Sequence, residues 1–212
     1  MPLQHIIHLN PHAILGVWQL TETESYFKPH LKKLVTEKRN LESITHVNRR
    51  LEWLAGRWLC LQLVERMNLP FRGIWTDEFN KPHLLANNAA ISISHASPYV
   101  VAILNTQSPC GIDVEKIRDK LRPLAPKFLN ETEINMADNN LSNLAIMWGA
   151  KEALYKLHGR KSLIFKENLS IEEFKFNAGG GTCKGLINIK NEHEIYNIKA
   201  GQFDGYVLVY TE

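Results

Sequence analysis

Cysteine is scarce in this chain: Cys60, Cys110 and Cys183 are all there is among 212 residues. They are odd in number, widely spaced and form no CxxC pair, which argues against a disulfide scaffold or a thiolate zinc site and for a reducing compartment. Long apolar runs are missing too, since none approaches the ~20 residues that a membrane span needs. The N-terminal Met-Pro-Leu-Gln-His lacks the basic segment followed by an apolar one that marks an export signal. Neither sign of charge dominates. A formal net charge of +3 admits an anionic ligand without demanding a nucleic acid. No residue-level repeat is visible. What is present, 44% hydrophobic and 22% charged residues, is ordinary globular composition, with enough chain for one domain or two small ones. The expectation is a cytoplasmic enzyme or binding protein.

Periodicity divides the chain into two comparable stretches. Residues 3–20 alternate in the manner of one or two strands, and Thr21 to Ser25 offers a helix start. Val47 to Arg66 reads as one long helix with apolar positions Leu51, Leu54, Trp58, Leu61 and Val64. Strands follow at Ile74–Thr76, at Ala90 to His95 and at Tyr99 to Leu104. Asn80 is suited to a left-handed turn before Lys81 and Pro82. Beyond Gly111 to Glu115 the prolines Pro123 and Pro126 suggest a loop from Lys116 to Lys127 with room for a helical turn. Asn130 and Glu133 then form a capping box. A second long helix runs from about Ser142 to Leu157 and ends at Gly159. The remainder alternates as a β-meander, with a turn at Gly179 to Gly181. The reading is an α+β fold of two similar, pseudo-twofold halves, 1–106 and 107–212, with a ligand cleft between them.

The chemistry concentrates in two short segments. In Gly111-Ile-Asp-Val-Glu, an extended chain puts Asp113 and Glu115 on one face and Ile112 and Val114 on the other. In Trp148-Gly-Ala-Lys-Glu-Ala-Leu-Tyr-Lys, helical spacing puts Glu152 and Lys156 on one face, with Trp148 a turn earlier. Together they offer three carboxylates and an ammonium, a donor set for a hard cation beside a phosphate. Taken separately, Asp113 and Glu115 could be a polar strand end, and Glu152 and Lys156 a surface ion pair worth only ~0.3–0.5 kcal/mol. The segment Lys28 to Arg66 is basic, with nine Lys or Arg against four Glu, and is either a solvated face or a rim for phosphates.

Three segments, Ser92-Ile-Ser-His-Ala-Ser, Gly111-Ile-Asp-Val-Glu and Trp148-Gly-Ala-Lys-Glu-Ala-Leu-Tyr-Lys, resemble in order and spacing the signatures of 4′-phosphopantetheinyl transferases. The length is similar to the large monomeric type that activates peptide synthetases. The resemblance implies transfer of the phosphopantetheine arm of coenzyme A to a serine of an acyl or peptidyl carrier protein, with release of adenosine 3′,5′-bisphosphate. It implies Mg²⁺ on Asp113, Glu115 and Glu152, and catalytic roles for Glu152 and Lys156. It implies coenzyme A contacts from Lys151, Lys156, Ser94, His95 and the Asn80-Lys81-Pro82 turn, with Lys38, Arg39, Arg50 and Arg57 in a basic phosphate-binding segment. Glu133 occupies a position that the resemblance connects with metal or water binding. Asn80 stands where the family has Gly, Leu129 where a second Phe is common, and Gly149 sits early in the second helix, where Gly costs roughly 1 kcal/mol against Ala.

Two other readings compete. A coenzyme A or nucleotide-binding module without turnover would not need all three carboxylates. Against a nucleic-acid binder using Lys28 to Arg66, its aromatics do not interleave in a stacking pattern and the net charge is small. Trp148 is expected to be core packing, and Cys60 and Cys110 small buried hydrophobes. Lys116, Arg118, Lys120 and Arg122 are expected to meet an acidic carrier helix. A monomer is expected, with neither membrane nor nucleic acid as partner.

Overall fold

The structure is a computed structural model that describes residues 3–30, 38–159, 163–177, 180–190 and 192–212. The chain forms two compact units, Met1–Cys110 and Gly111–Glu212. Each has one antiparallel sheet and one long helix, so the architecture is α+β in two similar halves. Among the described residues, no helix is long and apolar enough to cross a membrane.

The N-terminal unit holds strands β1 (Leu3–Asn10), β2 (Ala13–Gln19), β3 (Ile74–Thr76), β4 (Pro82–Leu84), β5 (Ala90–Ala96) and β6 (Tyr99–Asn105). Their order across the sheet is β1-β2-β6-β5-β4-β3. The helices are α1 (Glu24–Phe27), α2 (Lys38–Ser43) and α3 (Val47–Arg66). Helix α3 packs on β6, β2 and β5. Leu54, Leu61 and Val64 are buried, and Leu51 and Trp58 pack partly buried against the same core, as the apolar spacing predicts. Strand β6 is buried at every position, and from Tyr99 to Leu104 its sequence is a continuous apolar run instead of an alternation.

The C-terminal unit holds β7 (Ile112–Lys116), β8 (Leu169–Asn177), β9 (Gly180–Ile189), β10 (Glu192–Phe203) and β11 (Tyr206–Thr211). The sheet order is β7-β11-β10-β9-β8. Gly179, in the expected glycine turn, lies outside the described residues. The helices are α4 (Leu121–Phe128), α5 (Glu131–Ala137), α6 (Leu141–His158) and α7 (Phe165–Asn168). Helix α6 packs on β7 and β11, and α4 and α5 pack on α6. Its ends follow local rules: Asn140 accepts from the amides of Ser142 and Asn143, and Gly159 closes it at φ 76°. The Asn130–Glu133 capping box starts α5.

Helix α4 corrects the reading of Lys116 to Lys127, where a loop with at most a helical turn is expected and a helix of 8 residues stands. Leu121, Ala125 and Phe128 bury one helical face. Pro123 sits in the first turn, where an amide donor is not needed, and packing of that face outweighs the donor lost at Pro126.

Candidate functional site

Gly111 sets the path of β7. A Cβ there would stand 1.9 Å from the backbone oxygen of Ala153 on α6, so only glycine lets strand and helix approach this closely. Gly149 works the same way on the helix, where a Cβ would meet Val209 of β11 at 2.9 Å. Its helix-propensity cost is thus offset by close packing beside Asp113.

The approach brings Asp113 and Glu115 of β7 to Glu152 and Lys156 of α6. Lys156 Nζ donates to Asp113 Oδ1 at 2.6 Å and to the Ile112 carbonyl at 3.4 Å. Asp113 is 4% exposed and Lys156 27%, so the pair lies at the mouth of the core. Lys156 therefore pairs with the strand's Asp113, not with Glu152 four residues away on its own helix. Trp148 Nε1 donates to Glu115 Oε1 at 3.1 Å, while its ring packs edge-on to Phe128 and tilted against Phe165. Packing was the role expected of Trp148; the indole also orients a carboxylate. Arg118 approaches Glu115 from outside at 3.8 Å.

Glu152 is pushed up to about 7, chiefly by burial, with Asp113 and Glu115 adding and Lys156 opposing. Burial and then the charge of Asp113 raise Glu115 as well. The three carboxylates thus feel one another. Among the described residues, no group of three or more His, Cys, Asp or Glu is arranged to hold a metal ion as the side chains stand. Lys156 engages Asp113, and Trp148 engages Glu115. The donor chemistry still fits a hard cation, because mutually repelling oxygen donors are what such an ion relieves.

Lys151 and Glu133 depart from expectation. Lys151 is fully buried, and its ammonium donates to Glu133 Oε2 at 2.7 Å, the Phe128 carbonyl at 2.8 Å and the Phe165 carbonyl at 3.1 Å. Three protons meet three acceptors, so this structure leaves Lys151 no donor for coenzyme A. Glu133 accepts further from the amides of Asn130 and Ile171. It is a bolt joining α5, α6 and β8, with both oxygens engaged by protein donors.

The N-terminal unit has its own concavity, a cavity of about 630 Å³. Helix α3 lines it with Arg49, Glu52, Trp53 and Arg57, preceded by His46; β5 adds His95, the β3–β4 turn adds Asn80, and β4 adds Pro82. That turn is built on Asp77, which accepts from the amides of Phe79 and Lys81, and Asn80 takes the left-handed conformation expected of it, φ 64°. Arg57 lies 3.3 Å over the Trp53 ring. His95 Nδ1 stands 3.2 Å from Glu52 Oε2.

Of the expected coenzyme A contacts, Arg57, Pro82 and His95 line this cavity, and Lys81 and Ser94 adjoin its lining residues without lining it. Arg50 is a correction: its guanidinium is committed to Glu24 at 3.0 Å and the Leu41 carbonyl at 2.8 Å, tying α1 and α2 to α3. Its neighbour Arg49 faces the cavity instead. The side chains of Lys38 and Arg39 lie outside the described residues. Sequence reading missed Arg49, Glu52 and Trp53. The signal was the 49, 52/53, 56/57 spacing of the α3 face opposite the apolar one. The three cysteines are buried free thiols, as expected of Cys60 and Cys110, and burial pushes each up to about 12.

Compared with models of known families, residues 109–211 match the one described as the 4′-phosphopantetheinyl transferase superfamily. That segment covers nearly all of the C-terminal unit, including Asp113, Glu115, Glu152 and Lys156. No curated protein matches the chain.

Proposed function

With residues 109–211 a domain of the 4′-phosphopantetheinyl transferase superfamily, we propose that the chain moves the 4′-phosphopantetheine group of coenzyme A onto a serine of an apo carrier protein. Adenosine 3′,5′-bisphosphate is the leaving product. The observation that carries this reading is the meeting of Asp113, Glu115 and Glu152 with Lys156, supported by two glycine-dependent close approaches.

Asp113, Glu115 and Glu152 would hold Mg²⁺. When bound, the ion supplies Lewis-acid neutralisation of pyrophosphate charge. Lys156 exchanges Asp113 for a phosphate oxygen and offsets charge as the serine Oγ–P bond forms and the P–O bond to the bisphosphate breaks. The serine proton passes to a carboxylate of this cluster, Glu152 itself or one acting through a bound water. Trp148 holds Glu115 in place. The cavity of the N-terminal unit takes the nucleotide end of coenzyme A, with His95, Arg57 and Arg49 as its hydrogen-bond donors. The buried free thiols suit the cytoplasm, and one chain carrying both pocket and acids suits a monomer.

Lys116, Arg118, Lys120 and Arg122 are exposed and form the side offered to an acidic carrier helix. Two of them are already engaged, Arg118 by Glu115 and Arg122 by Asp119.

The test is the intact mass of an apo carrier protein after incubation with this protein, coenzyme A and Mg²⁺. A gain of one phosphopantetheine, lost with chelator and with Glu152→Ala, is expected. Coenzyme A binding without mass gain across a broad carrier panel would favour the module without turnover, and no coenzyme A binding would overturn both.

A further inference from the structure

A cavity that receives an anion should not carry a carboxylate on its wall, yet Glu52 lines it beside Arg49, Arg57, His46 and His95. The Glu52 side chain is 12% exposed, so its charge is largely out of water and close to the ligand. Such a group costs desolvation and repels an anionic ligand unless a partner compensates it. Its partner is His95 Nδ1, at 3.2 Å.

His95 needs what Glu52 offers. It stands near the end of β5 with its side chain 49% exposed, so packing alone does not hold the ring in one rotamer. Engaging Nδ1 directs the ring and leaves Nε2 as the nitrogen for a ligand. The other basic side chains of the wall are placed differently: Arg57 is stacked on Trp53, and Arg49 and His46 are exposed.

We propose that Glu52 is a positioning residue for His95: the carboxylate at Nδ1 holds the ring so that it can favour a nucleotide bearing a phosphate monoester over the same nucleotide without it. The inference rests on the reading that this cavity takes the nucleotide end of coenzyme A. It fixes the sign of an effect. A carboxylate that merely neighbours the ligand would repel it, and its removal would tighten binding. A carboxylate that aims the histidine loosens binding when removed, and only for ligands carrying the phosphate.

Calorimetric titration of the whole chain with coenzyme A and with 3′-dephospho-coenzyme A tests this. The unaltered protein should prefer coenzyme A by about tenfold or more, the contribution of one charge-assisted hydrogen bond. Glu52→Ala should weaken coenzyme A about tenfold, leave the dephospho form within about twofold and bring the ratio toward one. Glu52→Gln, which keeps an acceptor for Nδ1, should retain most of the preference. His95→Ala should match Glu52→Ala, and the double variant should lose no more than either. The ratio is read within each variant, so a partly unfolded sample lowers the stoichiometry and leaves the ratio intact. An unchanged ratio in Glu52→Ala, tighter coenzyme A binding, or additive single effects would overturn the inference and leave the transferase reading standing. An unaltered protein that binds both ligands equally, or neither, would overturn the assignment of the cavity itself.

Discussion

Two lysines of α6, five residues apart, each pair with a carboxylate from another element, and the pairs could hardly differ more. Lys151 and Glu133 are 0% and 1% exposed, and every proton of the ammonium has an acceptor. Lys156 is 27% exposed and meets Asp113 at the edge of the core. A buried pair with all partners satisfied holds elements together, and breaking it strands a charge. A pair that opens to water can exchange partners at small cost. One helix therefore carries a fixed bolt and a movable cation, and the second is the one we propose for the chemistry.

The largest effect should come from breaking the bolt. Lys151→Ala leaves Glu133 buried without its counter-charge and should cost about 3–5 kcal/mol of stability by denaturant titration. Lys156→Ala should cost clearly less stability while abolishing most carrier modification. Equal stability losses would erase the distinction between the pairs.

Gly111→Ala tests whether the acids depend on the close approach of β7 to α6. The added methyl must move the Ala153 carbonyl, because it would stand 1.9 Å from it. Transfer should fall by more than tenfold even where the protein remains folded by circular dichroism, an order-of-magnitude loss typical of misplaced reacting groups.

The acid cluster should also mark the pH dependence of stability. Glu152 is raised in the folded chain from its ordinary value of 4.5 to about 7. Between those values the folded state binds more protons than the unfolded one, so stability falls as pH rises through that window. Without divalent cation the melting temperature should decline from pH 5 to pH 7.5, and Glu152→Gln should flatten that part of the decline. An identical slope in the variant would sink the assignment.

The smallest effect is reserved for Trp148→Phe, which keeps an aromatic ring against Phe128 and Phe165 and deletes the donor to Glu115. A loss of about 1 kcal/mol is expected, with a several-fold rise in the Mg²⁺ concentration for half-maximal transfer. Unchanged Mg²⁺ dependence would return Trp148 to packing alone.

Much of this architecture is legible from neighbours in the chain. The Asn130–Glu133 capping box, the Gly159 cap, the left-handed Asn80 and the apolar face of α3 all depend on residues no more than about one helical turn apart. The acids were equally legible, because period two in β7 and period 3.6 in α6 assign faces without reference to the fold. Helix α4 was obscured by its prolines, although Leu121, Ala125 and Phe128 carried the helical spacing.

The choices among chemically equal residues were not legible. Arg49 and Arg50 are adjacent, yet one faces a cavity and the other is tied to Glu24 and a carbonyl. Lys151 and Lys156 share a motif, yet one is buried among α5, α7 and the end of α4. The amino-acid order by itself determined which side chains share a face, where the helices stop, and that carboxylates and a lysine belong together. Only tertiary structure decided which cation is sealed and which is open. Burial and partner choice depend on what packs from distant parts of the chain, and spacing along one element carries no record of that.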